Sequence, residues 1–179
     1  FGTGNYNEIT AGLYTDISYM TCRRKYGYEA ASFFNALTGG SKLVSLKNLT
    51  VAPLHLRERI MDLIDAEIDN AENGKEARID IKVNSLQDSS IITALYRASY
   101  AGVKIRLNVR GVCCLQPDLK KIIKNIKVTS IVDRYLEHSR ILSFHNNGKP
   151  KVYISSADLM ERSFDRRVEL AIEVKDADS

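Results

Sequence analysis

Residues 79–111 read IDIKVNSLQDSSIITALYRASYAGVKIRLNVRG, and their hydrophobic pattern predicts a strand, a helix and a second strand. Between the strands, Asp88 or Ser89 can cap a helix that Gly102 ends. Strand, helix and strand joined by short connections favour an α/β sheet. Apolar residues alternate with polar ones in both strands, as in half-buried strands, at Ile79, Ile81 and Val83 and at Val103, Ile105, Leu107 and Val109.

The pattern continues on both sides of this unit. Before it, a helix is predicted with Pro53 at its first position and Asn73-Gly74 at its end. After it, further strands are predicted over residues 126–132, 141–144, 152–155 and 168–174. The expected fold class is therefore α/β. The apolar residues of the predicted helix are Leu56, Ile60, Leu63, Ile64, Ile68 and Ala71.

Residues 1–45 differ in pattern from residues 46–179. They contain a short predicted strand over residues 13–20, a predicted helix over residues 28–37 and a linker-like segment at residues 38–41. We therefore expect two structural units, residues 1–45 and residues 46–179. The sequence leaves open whether the first unit is ordered.

Composition excludes several classes of protein. The 179 residues are 44% hydrophobic and 27% charged, which is typical of soluble globular chains rather than disordered or disulfide-stabilised ones. No apolar run approaches the roughly 20 residues that cross a bilayer. The net charge of +4 suits an anionic substrate without requiring nucleic acid. Three cysteines without a Cys-x-x-Cys pair indicate a reducing, cytoplasmic location and no zinc site.

Polar residues that directly follow apolar strands are the candidates for a ligand site, because ligands of α/β sheets gather beyond the carboxyl ends of the strands. Five segments qualify, the first of them on the assumption that a strand precedes it. They are residues 2–5 (GTGN), 84–88 (NSLQD), 110–111 (RG), 133–138 (DRYLEH) and 155–158 (SSAD).

Two residues in these segments suit phosphate chemistry. Arg110 carries a permanent charge beside Gly111, which permits close backbone approach, and it either binds phosphate or forms a surface ion pair. His138 precedes an apolar run and is a general acid, a nucleophile toward phosphorus or a plain loop histidine. Taken singly, neither residue separates these alternatives.

The order of the later segments resembles the motif of the phospholipase D superfamily. That family's motif contains His-x-Lys and Gly-Ser-x-Asn. The matching segments here, His138-Ser139-Arg140 and residues 155–158, have chemically similar residues but not identical ones. Residues 2–5 resemble a second copy of the latter half, whose backbone amides and polar side chains can hold an oxyanion. Two half-motifs imply a pseudo-twofold site to which each half contributes one histidine.

Longer blocks make the chain similar to one family in particular, the histidine-phosphorylating bacterial polyphosphate kinases. The resemblance covers nearly the whole chain, and it implies a phospholipase D-like mixed sheet flanked by helices, preceded by the tail of a second similar domain. The blocks are residues 2–8 (GTGNYNE), 13–16 (LYTD), 109–113 (VRGVC), 130–140 (SIVDRYLEHSR), 153–158 (YISSAD) and 167–169 (RVE).

The resemblance implies reversible transfer of the γ-phosphate of ATP to inorganic polyphosphate through a phosphohistidine, with Mg²⁺ accompanying ATP. It implies that His138 assists proton or phosphoryl movement and that Arg110 neutralises charge on the transferring group. No residue of this chain is predicted to ligate a metal ion. The residues that it places around ATP and its phosphates are Gly2, Thr3, Gly4, Asn5, Tyr14, Asp16, Arg110, His138, Ser155 and Ser156.

One departure from the family pattern concerns the nucleophile. The family's phosphorylated histidine belongs to a His-x-Lys motif upstream of the position of Gly2, and the chain opens at Phe1 instead of Met. We therefore expect the chain to be a C-terminal fragment that cannot autophosphorylate. Recovery of acid-labile phosphate on the fragment after incubation with ATP would contradict this expectation.

Two rival functions stay open at this point. One is a phospholipase D-type phosphodiesterase or nuclease, which the same half-motifs would serve, and the other is an inert anion-binding fragment. The expected partners are ATP or ADP and inorganic polyphosphate, with no nucleic acid, no transmembrane segment and a homo-oligomeric parent protein. The expected location is cytoplasmic, with peripheral membrane association left open.

Overall fold

The computed structural model describes residues 1–40, 46–116 and 124–175 of the chain. Its helices are α1 (Glu8–Ala11), α2 (Arg24–Leu37), α3 (Leu56–Glu72), α4 (Ser89–Tyr100) and α5 (Glu161–Asp165), with one 3₁₀ turn at Asn146–Gly148. Its strands are β1 (Tyr14–Thr15), β2 (Leu49–Ala52), β3 (Arg78–Val83), β4 (Lys104–Val109), β5 (Ile126–Thr129), β6 (Leu136–Glu137), β7 (Arg140–Phe144), β8 (Lys151–Ser155) and β9 (Glu169–Val174).

The main sheet has seven strands in the order β2-β9-β8-β7-β3-β4-β5 among the described residues. Strands β3, β4 and β5 run parallel, and the pairs β3-β7, β7-β8, β8-β9 and β9-β2 are antiparallel. A second, two-stranded sheet pairs β1 with β6 in parallel. The predicted α/β class, with a mixed sheet and flanking helices, is therefore confirmed.

The core lies between one face of the main sheet and the helices α3 and α4. The alternating residues of β3 and β4 are buried there, as predicted from their period of two. Asp88 caps α4, since its side chain accepts the backbone N–H of Ile91. Gly74 and Gly102, which follow α3 and α4, adopt positive φ angles of 71° and 102° that favour glycine.

Several element boundaries differ from the predictions. Pro53 does not begin α3, because β2 extends to Ala52 and a turn over residues 53–55 separates it from the helix. The strand expected over residues 13–20 is only two residues long, because β1 has a single neighbour, β6. The strand expected over residues 126–132 ends at Thr129, where its pairing with β4 ends. Helix α2 begins earlier than expected, and the predicted linker residue Ser41 and domain boundary residue Ser45 lie outside the described residues.

Residues 1–40 pack on the rest of the chain. Tyr26 of α2 is 1% exposed and lies in a cluster with Leu49, Ile154 and Ile172. Ile154 alternates along β8 with Tyr153, which belongs to the main core, so α2 lies on the opposite face of the sheet from α3. Residues 1–40 thus contribute apolar side chains that are buried on this second face of the sheet.

Glu29 of α2 clamps the start of β2. Its carboxylate accepts the backbone N–H groups of Lys47, Asn48 and Leu49 and the side-chain amide of Asn48. Burial alone would raise the pKa of Glu29, but these hydrogen bonds together outweigh burial and lower its pKa below the ordinary 4.5. A lowered pKa means that the clamp stabilises the fold above the ordinary pKa and is lost as the pH falls through the folded-state value.

Glu29→Ala is expected to loosen α2 from the sheet at neutral pH, because four amide donors lose their acceptor. Hydrogen exchange should then be faster for the amides of α2 than in the unmutated chain. The two proteins should converge at acid pH, where the carboxyl is protonated. The exposed Glu72 at the end of α3 supplies the control variant Glu72→Ala, and equal protection of α2 in all three chains would show that the clamp is inert.

No helix in the described part of the chain combines the length and the apolar character needed to span a bilayer.

Candidate active site

The candidate site is centred on His138, between β6 and β7. Residues of β1 and β6 pair in register, Tyr14 with Leu136 and Thr15 with Glu137, so the next residues along each strand, Asp16 and His138, come face to face. The Nδ1 atom of His138 lies 3.0 Å from both carboxylate oxygens of Asp16. The ring of Tyr14 lies against the imidazole, with 4.8 Å between centroids.

This arrangement orients the imidazole. Nδ1–H donates to Asp16, and Nε2 accepts from Nη1 of Arg140 at 3.3 Å. The His138 side chain is only 11% exposed, and both of its ring nitrogens contact protein groups. Water therefore has little access to the imidazole. A histidine whose tautomer is held by a carboxylate is suited to acid–base chemistry and to stabilising negative charge.

Arg140 and Asp158 form a buried ion pair beneath His138. Their closest atoms, Nη2 and Oδ2, are 3.1 Å apart, and Nε of Arg140 lies 3.3 Å from Oδ1. Arg140 also donates through Nη1 to the backbone carbonyl oxygens of Thr3 and His138. Because these contacts engage every nitrogen of its guanidinium, Arg140 positions the site instead of presenting a free charge to a ligand.

The glycine-bearing opening supports Asp16. The Thr3 hydroxyl donates to Oδ1 of Asp16 at 2.7 Å, and Thr3 is only 1% exposed, so its side chain faces the protein. A Cβ atom on Gly4 would lie 1.9 Å from a carboxylate oxygen of Asp16, which only glycine avoids. A cavity of about 250 Å³ is lined by Gly4, Asn5, Tyr14 and Asp16 among others. Four of the residues predicted to bind ATP phosphates therefore share one cavity.

The two serines of the later half-motif are engaged with β9. Ser155 Oγ donates to the carbonyl oxygen of Leu170, and Ser156 Oγ donates to the carboxylate of Glu169. Burial raises the pKa of Glu169, against the opposing effects of Ser156 and Arg140. The hydroxyls that sequence analysis assigned to phosphate binding are thus already satisfied within the protein.

Arg110 lies at the carboxyl end of β4 and reaches toward the His138 loop. Its Nε donates to the carbonyl oxygen of Glu137 at 2.5 Å, next to His138 in sequence. Within residues 1–40, 46–116 and 124–175, Arg110 forms no ion pair with a carboxylate, so its remaining N–H groups are available to an anion. The surface ion pair considered as an alternative is not present among these residues.

Sequence analysis missed Lys82 as a component of this region, and it included Glu137 only as part of the candidate segment 133–138. The Lys82 ammonium lies 2.8 Å from the Glu137 carboxylate, and this hydrogen bond lowers the pKa of Glu137. Lys82 also donates to Ser139, so it ties β3 to the loop that carries His138. The alternation along β3 could have indicated Lys82, because this residue occupies a polar position between the buried Ile81 and Val83.

Two family models match the chain. The one described as polyphosphate kinase C-terminal domain 1 matches residues 1–43, and the one described as polyphosphate kinase C-terminal domain 2 matches residues 49–179. The polyphosphate kinase of Rhodopirellula baltica is 53% identical over 98% of this chain and 21% of its own length. That of Bacillus cereus is 50% identical over 98% of this chain and 25% of its own length. The chain thus spans about a quarter or less of these relatives.

Solved structures show the same similarity. The polyphosphate kinase of Porphyromonas gingivalis superposes on 99% of this chain, and on 27% of its own chain, with a TM-score of 0.94 and 46% identity. A phospholipase D family member, Nuc from Salmonella typhimurium, covers 70% of this chain and 80% of its own with a TM-score of 0.51 and 16% identity. The second similarity concerns the fold alone, and it confirms the phospholipase D-like architecture expected from the half-motifs.

Proposed function

This chain belongs to the polyphosphate kinase family, and from that membership we propose that it forms part of a site for reversible transfer of the ATP γ-phosphate to inorganic polyphosphate. One observation carries the proposal: His138, held by Asp16, lies beside Arg110, whose guanidinium has no carboxylate partner among the described residues. A polyanionic substrate would be the counter-charge that Arg110 lacks.

In this proposal His138 acts as an acid–base group beside the transferring phosphate. Asp16 holds the Nδ1 proton and stabilises the imidazolium that forms when Nε2 gives up its contact with Nη1 of Arg140 and takes a second proton. Arg110 neutralises charge that develops on the phosphoryl oxygens. The phosphohistidine itself is not assigned to His138, because the family resemblance implies that the phosphorylated histidine belongs to a His-x-Lys motif upstream of the position of Gly2.

Mg²⁺ is expected from the family resemblance, as the partner of ATP. The described residues contain no group of three or more acidic, histidine or cysteine side chains that could hold a metal ion. The carboxylates of Asp16 and Asp158 are committed to His138 and Arg140, respectively. Among the described residues, these side chains therefore do not form a Mg²⁺ site of their own.

The proposed function is tested on the full-length protein that contains this chain. Purified protein with Mg²⁺, ADP and polyphosphate should form ATP, and with ATP it should lengthen polyphosphate. Hydrolysis of a phosphodiester without either transfer would support the phospholipase D-type alternative instead. Calorimetry of the 179-residue chain with ATP and with polyphosphate separately tests whether it binds these anions by itself.

Gly4→Ala is expected to reduce this transfer by about tenfold to a hundredfold, because its methyl group displaces Asp16 and thereby turns His138. Steady-state kinetics of the full-length variant measure the loss. The matched control is Gly12→Ala in the same segment, where a Cβ atom would meet nothing nearer than 3.9 Å. Equal activity of the two variants would mean that the position of the Asp16 carboxylate does not depend on the absence of a side chain at Gly4.

A further inference from the structure

Asn84 carries a buried side-chain atom without a hydrogen-bond partner. The residue directly follows β3 and is 7% exposed, and its Oδ1 atom finds no partner in the described part of the chain. Its backbone groups are used, since its N–H donates to Asp158 and its carbonyl oxygen accepts the N–H of Gly111. Buried polar atoms are nearly always paired, and an unpaired one costs stability, so this carboxamide calls for a partner that the described residues do not supply in their present arrangement.

The position of Asn84 places that partner in the candidate site. Val83 lies opposite Val109 in the parallel pair, so Asn84 is level with Arg110. Lys82 lies opposite Ile141 in the antiparallel pair, so continuation of that register brings Asn84 level with Ser139, next to His138. Side chains along β3 point alternately to the two faces of the sheet, so continuation of the pattern places Asn84 on the same face as Lys82. The ammonium of Lys82 contacts Glu137 and Ser139.

Close packing of the Arg110 loop on Asn84 supports the same placement. The N–H of Gly111 lies 2.7 Å from the carbonyl oxygen of Asn84. A Cβ atom on Gly111 would lie 2.8 Å from that oxygen, so glycine is needed for this approach. Asn84 and Arg110 are therefore neighbours at the carboxyl ends of β3 and β4.

We propose that Asn84 binds a phosphate group of the substrate together with Arg110. A carboxamide has two N–H donors and a carbonyl acceptor, and because Oδ1 of Asn84 has no partner among the described residues, the group can turn about its Cβ–Cγ bond to present either end. Its Nδ2 group donates to a non-bridging phosphate oxygen, and its Oδ1 atom accepts an N–H of Arg110. This inference rests on the proposed function, and it adds a neutral donor to the charged groups already described.

The test compares Asn84→Ala and Asn84→Asp in the full-length protein. Loss of a hydrogen bond to a charged group should lower kcat/KM for polyphosphate formation by about tenfold to a hundredfold in Asn84→Ala. Asn84→Asp should lose more, because a carboxylate of the same shape repels phosphate. A purely structural role gives activity losses that follow the losses of melting temperature in the two variants, because such a role acts only through folding.

Asn108→Asp is the matched control. Asn108 lies half-buried on β4, two residues before Arg110, so the substitution makes the same charge change farther from the strand end. It should lose much less activity than Asn84→Asp. Thermal melting identifies any variant that does not fold, and if Asn84→Asp fails, Asn84→Ser replaces it, whose hydroxyl donor should preserve more activity than alanine.

The outcomes separate this inference from the proposed function. If the unmutated protein transfers no phosphate between ATP and polyphosphate, the proposed function itself fails. If it does, and Asn84→Ala keeps its kcat/KM within about twofold, the inference alone is overturned. Equal losses in Asn84→Asp and Asn108→Asp, or a greater loss in Asn84→Ala than in Asn84→Asp, also overturn it.

Discussion

In the full-length protein, His138→Ala is expected to lower kcat for polyphosphate formation by about a hundredfold to ten-thousandfold, the usual cost of removing a positioned acid–base group. Asp16 and Arg140 hold both ring nitrogens of His138, so the imidazole is presented in one tautomer and one orientation. Alanine removes the proton acceptor and leaves the Asp16 carboxylate without its partner. The loss should appear in kcat more than in KM.

Stability needs its own control for this variant, because His138 is buried and packs against Tyr14. His138→Gln keeps most of the volume and an amide donor, so it should melt closer to the unmutated protein and remain nearly as inactive as alanine. His55→Ala, at the exposed start of α3, should keep full activity. Wild-type turnover in both folded His138 variants would remove His138 from the chemistry.

Arg110→Ala is expected to lower kcat/KM by about a hundredfold to a thousandfold, because a preorganised charge that neutralises the transferring group is lost. Arg110→Lys should recover only part of the activity, since an ammonium offers a point charge in place of the planar fork that donates to phosphate and to the Glu137 carbonyl together. Steady-state kinetics at several salt concentrations measure both effects.

The control for Arg110 lies on the same strand. Arg106 is exposed, points to the same face of the sheet and pairs with Asp80, so Arg106→Ala removes one positive charge away from His138. It should change kcat/KM little. If Arg106→Ala and Arg110→Ala lose activity equally, the general field of the surface matters and Arg110 has no particular contact with substrate.

Much of the fold follows from local patterns. The unit β3-α4-β4 was predictable because a period of two in residues 79–83 and 103–109 reports which face of each strand is buried. Asp88 and Gly102 mark the ends of the helix through their own side chain and backbone freedom. Such signals need only neighbouring residues, so they can be seen in the chain before it folds. Pro53 shows the limit, because strand β2 extends to Ala52 and keeps the proline outside the helix.

Motif resemblance located candidate residues but did not reveal their partners. Ser155 and Ser156 were assigned to phosphate, yet β9 supplies the acceptors for both hydroxyls. Arg140 was matched to a lysine of the family motif, yet its nitrogens are engaged by Asp158 and by backbone carbonyl oxygens. Which donors are satisfied internally depends on what packs against them, and a motif does not contain that information.

The sequence by itself determined the α/β class, the family and the identity of the polar residues at the strand ends, because periodicity, caps and motifs are properties of short segments. Only the tertiary structure decided that Asp16 and His138, which are 122 residues apart, share a hydrogen bond through the register of β1 on β6. It also decided that, among the described residues, Arg110 and Asn84 keep hydrogen-bonding groups without partners while every guanidinium nitrogen of Arg140 is engaged. The physical reason is that pairing register and burial arise between distant segments, and these determine which charges and amides remain for a substrate.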